Sequence, residues 1–253
     1  MTAPLFPHRT PFSSRTFDPR DLKLPEMARW AHALRAFAAK LAARGTAFAV
    51  NGVLRHRIFV RSHKLWEYAA SAAWLMPEGR ESGLRMLDFG GAATLPVYFF
   101  AARGCRVECL DIDERLCDAT RRAAARHRWS LSAGSHNLAG SPPPPEWAGA
   151  FDAVISASVL EHLPKDRQAT VVARLASLLR PGGRMVVSFD FGSQAPQRGA
   201  VRSVEEVEHL VAASGLKFAE GEPFRDMGAR FALDRRYPDC KFTFGIVFLE
   251  RKP

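Results

Sequence analysis

Cysteine is scarce in this chain, with four among 253 residues, at 105, 109, 117 and 240. None forms a Cys-x-x-Cys pair, and three fall within one strand-to-helix stretch. That excludes a zinc pattern and a secreted disulfide framework, and it implies free thiols in a reducing cytoplasm, with no metal. Long apolar runs are also lacking. The longest, such as Leu95 to Ala102, fall far short of the ~20 residues that a spanning helix needs, so no membrane insertion is expected. Met1 to Asp18 offers Pro, His and Arg where a signal peptide would hold its apolar core. The expectation is a soluble, cytoplasmic protein. Lysine is rare too, with only seven against 29 arginines.

What is present is ordinary for a globular chain, at 47% hydrophobic and 25% charged, which excludes a disordered or collagen-like chain. The net charge of +10 is unevenly spread. Residues 1 to 85 hold 14 basic and six acidic side chains, against 22 and 20 in the remainder. The excess centres on Arg55, His56, Arg57, Arg61, His63 and Lys64. Such a basic arm suits an anionic partner, or it is a solvated face.

Residues 1 to 25 carry five prolines and read as an irregular arm. Met27, Trp30, Leu34, Phe37 and Leu41 predict a helix ending near Gly45, and Leu65, Ala69, Ala72 and Leu75 a second amphipathic helix closed by Pro77 and Gly79. From Leu84 strands and helices alternate, implying a parallel sheet covered by helices. The strands fall at 84–89, 106–111, 129–133, 151–157 and 184–190. Phe242, Phe244, Ile246 and Phe248 mark a last strand with one well-buried face. Thr94 is placed to cap one helix, His127 is a candidate inward residue of another, and Ser203 with Glu206 forms a capping box on a helix stopping at Gly215. Two regions follow: 1–83, an arm and helices that cover the acceptor side, and 84–253, the core.

In such sheets ligands bind at the carboxyl ends of the strands. The first loop there is Asp88-Phe89-Gly90-Gly91-Ala92-Ala93-Thr94, and Asp111 ends the next strand, placed to accept ribose hydroxyls. The third glycine of a dinucleotide loop is absent, and Asp88 suits a cationic ligand better than a diphosphate, because like charges repel.

With these stand Val159-Leu160-Glu161-His162-Leu163-Pro164 and Arg180-Pro181-Gly182-Gly183-Arg184. In this combination the chain resembles the class I S-adenosylmethionine-dependent methyltransferases, in particular the small-molecule branch that includes ubiquinone and menaquinone biosynthesis enzymes. The resemblance spans roughly Leu84 to Gly215. It implies a Rossmann-like, doubly wound α/β fold with a seven-stranded, mostly parallel sheet and an antiparallel last strand. It further implies that Asp88, Phe89, Gly90 and Gly91 surround the methionyl part of S-adenosylmethionine and that Asp111 holds the ribose. Ile112 would pack on the adenine, Asn137 (or Ser135) and Leu138 would lie at its edge, and Ser156 would line the floor by its backbone. His162 is the candidate general base, and Asp190 a weaker one. Trp66 and Tyr68 read as a buried pair or as cover for the cofactor.

The activity so implied is methyl transfer to a small-molecule acceptor at O, N or C. An RNA methyltransferase using the basic N-terminal third is the alternative, although no RNA-binding module and no Asn/Asp-Pro-Pro-aromatic tetrapeptide is present. Ala92 and Thr94 stand where such enzymes carry glycine. If they close the loop, the chain is a non-catalytic binding protein.

Overall fold

The computed structural model describes residues 13–57, 59–76, 83–234 and 236–253. In chain order its elements are β1 (Arg15–Thr16), α1 (Pro25–Ala43), β2 (Phe48–Val50), β3 (Val53–Arg55), α2 (Ser62–Leu75), β4 (Arg85–Phe89), α3 (Leu95–Ala102), β5 (Arg106–Asp111), α4 (Glu114–His127), β6 (Leu131–Ser135), β7 (Phe151–Ala157), α5 (Lys165–Ser177), β8 (Leu179–Phe191), α6 (Val204–Ser214), β9 (Lys217–Phe218) and β10 (Thr243–Glu250). They form two compact units, one of Pro19–Asn137 and one of Leu138–Pro253 with the chain up to Asp18.

In the 19–137 unit, β4, β5 and β6 are parallel, with Asp88 beside Cys109 and Asp111 beside Ser135. Parallel neighbours need crossovers, which α3 and α4 supply. Every residue of α3 from Leu95 to Ala101 is buried, as an all-round apolar helix must be. The apolar stripe of α1 packs on it, Trp30 and Phe37 meeting Phe99 edge-on at 6.0 and 5.5 Å. The amphipathic reading of α2 is corrected: His63, Leu65, Trp66, Glu67 and Ala69–Leu75 are all buried. Glu67 is held there by Lys64 at 3.0 Å, and Trp66 Nε1 donates to Asp21 Oδ2 at 2.8 Å. The expected stop at Pro77 and Gly79 lies outside the described residues. His127 is half-buried rather than inward, stacking on Trp129 at 4.5 Å and bonding Thr46 at 2.8 Å. The third strand of the alternation begins at Leu131 instead of Trp129.

In the other unit β7 and β8 are parallel, and β10 runs antiparallel to β8 from Thr243↔Phe191 to Glu250↔Arg184. Both faces of β10 are buried, where the period of its phenylalanines indicated one. The arm is not wholly irregular, because β1 pairs antiparallel with β10, Arg15 opposite Ile246. With β9, also on β10, the described residues hold three such strands in the 19–137 unit, besides the separate β2–β3 pair, and five in the other, against an expected seven. The Arg180–Gly183 segment is part of β8 rather than a separate turn. It sits at a register shift opposite Phe151 and Ala153, with Arg180 Nε 2.6 Å from Asp152. Gly182 has φ 74°, and a β-carbon on Gly183 would lie 2.9 Å from the Arg180 carbonyl oxygen. The glycines of that signature therefore serve the backbone. Ser203 caps α6 by accepting from Glu206 N–H at 3.4 Å, but the Glu206 carboxylate accepts from Arg202 N–H at 2.8 Å, one residue earlier than a capping box requires. The helix ends at Gly215, φ 67°.

Candidate active site

Two buried carboxylates end adjacent parallel strands of the 19–137 unit. Asp88 is 3% exposed and Asp111 8%. Gly90 follows Asp88 with φ 78° and donates its N–H to Leu110 O at 2.7 Å, tying the loop to β5. A β-carbon on Gly91 would overlap Asp88 Oδ1 and lie 2.7 Å from its carboxyl carbon. No side chain fits there.

Asp111 accepts the Ala92 N–H at 3.2 Å on one oxygen and the Asp113 N–H at 3.0 Å on the other. It fixes the loops after both strands, and each oxygen keeps a lone pair for a ligand hydroxyl. The tolerance of the loop for Ala92 has a simple cause, since Ala92 avoids the left-handed region and Ala93 takes it, φ 59°. The cost at an alanine is about 1–2 kcal/mol. Thr120 Oγ1 accepts the Ala93 N–H at 2.7 Å and holds this conformation. Thr94 occupies the N-cap of α3, but its hydroxyl donates back to Gly91 O at 2.6 Å, so the expected side-chain cap is absent.

Burial pushes the Asp88 carboxyl up to about 7, and the Asp111 charge adds to the rise, against hydrogen bonds from Gly91 and Cys109. The Cys109 thiol, 3.9 Å from Asp88 Oδ1, is itself raised well above its usual range by burial. Sequence reasoning passed over Cys109 and Thr120. The register that sets Cys109 beside Asp88 was the available signal. On α2, burial pushes Tyr68 up to about 12, with Lys64 opposing the rise and Glu67 adding to it. His63 is lowered to about 4 by burial and then by Lys64.

Ile112, next to Asp111, is 73% exposed, and Asn137 and Ser135 are also exposed. The remaining expected site residues belong to the other unit. Leu138 is fully buried, and Ser156 is buried in β7. His162 ends a 3₁₀ turn, Leu160–His162, with its side chain exposed. The chain just before this turn is strained at Ser158, φ 55°, and its N–H is held by Ser188 O at 3.0 Å. Gln168 Nε2 donates to Leu160 O at 2.7 Å and to Gly199 O at 2.5 Å, fixing the turn from below. Asp190 is buried near the end of β8.

Residues 87–185 match the family described as a methyltransferase domain. A stretch of 111 residues is 32% identical to the ubiquinone biosynthesis O-methyltransferase of Xylella fastidiosa (strain 9a5c), covering 42% of this chain and 42% of that one. Another of 107 residues is 31% identical to the enzyme of the same name from Marinobacter nauticus, covering 42% and 44%. The chain thus matches less than half the length of these relatives. Among solved structures, the magnesium protoporphyrin IX methyltransferase of Synechocystis PCC 6803 with bound SAM is similar at a TM-score of 0.54, 20% identity and coverage of 90% and 98%. Haemonchus contortus phosphoethanolamine N-methyltransferase 2 gives 0.56, 14% identity and coverage of 74% and 52%. The fold is the Rossmann-like α/β fold of these proteins, mostly parallel with an antiparallel last strand. The chain resembles the class I S-adenosylmethionine-dependent methyltransferases.

Proposed function

We propose that this protein is a cytoplasmic S-adenosylmethionine-dependent methyltransferase acting on a small-molecule acceptor at O, N or C. The observation that carries the reading is the pair of buried carboxylates, Asp88 and Asp111, beside a loop whose Gly91 admits no side chain. These residues suit the cofactor. Asp88 offers negative charge to an ammonium group, Asp111 keeps lone pairs for two ribose hydroxyls, and exposed Ile112 offers an apolar face to a flat ring. Asn137 and Leu138 are assigned to the ring's edge, and Ser156 to the floor through its backbone.

When bound, the cofactor supplies a methyl group already activated by its sulfonium. What remains for the chain is to align the acceptor and remove a proton where the nucleophile carries one. His162 is the proposed base, since imidazole titrates near neutral pH and its exposed side chain is accessible to an acceptor. Residues 1–83 are assigned to the acceptor's cover and 84–253 to the core. That none of the four cysteines is in a disulfide agrees with that compartment.

The test is a calorimetric titration with S-adenosylhomocysteine, with oxidised nicotinamide dinucleotide as control. Micromolar binding, about −8 kcal/mol, is expected for the first and none for the second. The reverse pattern would overturn the proposal.

A further inference from the structure

The 19–137 unit carries an exposed surface to which none of the proposed cofactor contacts belongs. From Met27 to Trp66 the chain has no acidic residue and eight lysines and arginines. Within this stretch β2 and β3 form a hairpin closed by Asn51 (φ 49°) and Gly52 (φ 73°), with Val50 opposite Val53 and Phe48 opposite Arg55. Two left-handed residues of these types make the turn that suits a twisted two-residue hairpin. Phe48 anchors it, fully buried and 6.0 Å from Tyr98. Beyond the anchor the hairpin turns apolar side chains outward. Val50 and Leu54 are each 38% exposed, and Val53 is 51% exposed. Phe59, a few residues on, is 90% exposed. Arg55, His56 and Arg57 between them are exposed as well. An open cleft of about 530 Å³ continues the same surface, lined by alanines of α1 with Phe59, Val60, Arg35 and Arg57.

Three occupants can be compared by their chemistry. A second copy of the chain would bring one arginine cluster against another, and like charges oppose that. RNA would satisfy the arginines and could stack a base on Phe59, but it would leave the aliphatic Val50, Val53 and Leu54 of the hairpin in water. An acidic bilayer surface satisfies both kinds of side chain. Its phosphates meet the guanidinium groups, and the boundary between headgroups and acyl chains takes valine, leucine and phenylalanine.

We propose that the β2–β3 hairpin, with Arg57, Phe59 and Val60, docks the protein on the surface of a membrane rich in acidic phospholipid. Among the described residues no helix is long and apolar enough to cross a membrane, so the contact is peripheral. The proposal does not rest on methyl transfer, and its readout needs no catalysis.

The test is co-sedimentation of the full chain with vesicles of phosphatidylcholine, alone or mixed with phosphatidylglycerol in equal parts. Sedimentation with the mixed vesicles alone is expected, weakening as salt screens the charges. The double variant Leu54→Asp, Phe59→Asp should lose at least tenfold in affinity. The double variant Arg55→Gln, Arg57→Gln should lose about 25-fold, roughly fivefold for each charge removed near the surface. Unchanged circular dichroism, melting temperature and S-adenosylhomocysteine affinity in both variants keep the loss specific to this surface. Equal binding to both vesicle types, variants that bind like the wild type, tighter binding to a single-stranded RNA, or a dimer dissociated by Leu54→Asp would each overturn the proposal.

Discussion

A β-carbon on Gly91 would lie 2.7 Å from the carboxyl carbon of Asp88, so the loop after β4 closes onto the carboxylate through the one residue that lacks a side chain. Gly91→Ala forces one of the two to move. The expected cost is about 1–3 kcal/mol of stability, typical of overpacking, together with loss of S-adenosylhomocysteine binding. Thermal unfolding and calorimetry on the one variant check both, and a variant with wild-type affinity would show that this contact does not shape the site.

Asp88 ties stability to pH in an unusual direction for a carboxylate. Its pKa rises from 3.8 to about 7 in the fold, through burial first and the Asp111 charge second. The stabilising effect of its proton is fully present below the unfolded value and is lost as pH rises through about 7. Above that, the buried charge costs on the order of 4 kcal/mol. Asp88→Asn should therefore raise the melting temperature near pH 8 and leave it nearly unchanged near pH 4.

The same group sets the affinity for a cationic ligand. A bound ammonium needs the ionised carboxylate, so S-adenosylhomocysteine affinity should fall by up to about tenfold for each pH unit below 7. Calorimetry between about pH 5.5 and pH 8 reads this directly. A flat profile would mean that Asp88 faces no cation.

Asp111→Ala removes the acceptor of the Ala92 and Asp113 N–H groups as well as the proposed ribose contact. Binding should vanish while the fold persists, weakened by about 1–3 kcal/mol for the groups left unpaired. Retained micromolar affinity in a folded variant contradicts the assignment of the cofactor site.

Ala93 is a point at which a substitution should help stability. Glycine relieves its left-handed backbone at φ 59°, and Ala93→Gly should stabilise by up to about 1 kcal/mol, read as a rise in melting temperature. A fall would show that the buried methyl group outweighs the strain.

His162→Asn tests the proposed base once an acceptor is in hand. Turnover should fall about 10²- to 10⁴-fold with cofactor affinity unchanged. If turnover is retained, the histidine only contributes to the wall of the acceptor site.

The alternation of strands and helices from Leu84 onward was readable because each segment has a clear period, and Asp88, Gly90, Gly91 and Asp111 followed from the rule that ligands meet strand ends. The details of the loop were not. Which of Ala92, Ala93 and Thr94 takes the left-handed conformation depends on Thr120, twenty-six or more residues away, and local sequence does not encode that bond. Two-residue β1 is too short to show a period. In β10 the conspicuous phenylalanines marked one face, while Val247 and Leu249 on the other are buried as well. The hairpin was within reach, since Asn51-Gly52 between apolar residues is a strong turn signal. Helix α2 read as amphipathic from Leu65, Ala69, Ala72 and Leu75, and only the structure shows that Glu67 is buried and pairs with Lys64.

The pairing of Arg15 with Ile246, reinforced by the Phe248 N–H bond to Ser14 Oγ at 3.0 Å, sets an order of events during synthesis. The segment that forms β1 leaves the ribosome well before β10 exists. At about 5–20 residues per second the wait is some 10 to 50 seconds. Throughout that interval β1 lacks its β10 partner, and β8, once made, waits about fifty residues for its antiparallel neighbour. The unit built on them is completed only after the last strand emerges, whereas β4, β5 and β6 have all been synthesised about a hundred residues earlier.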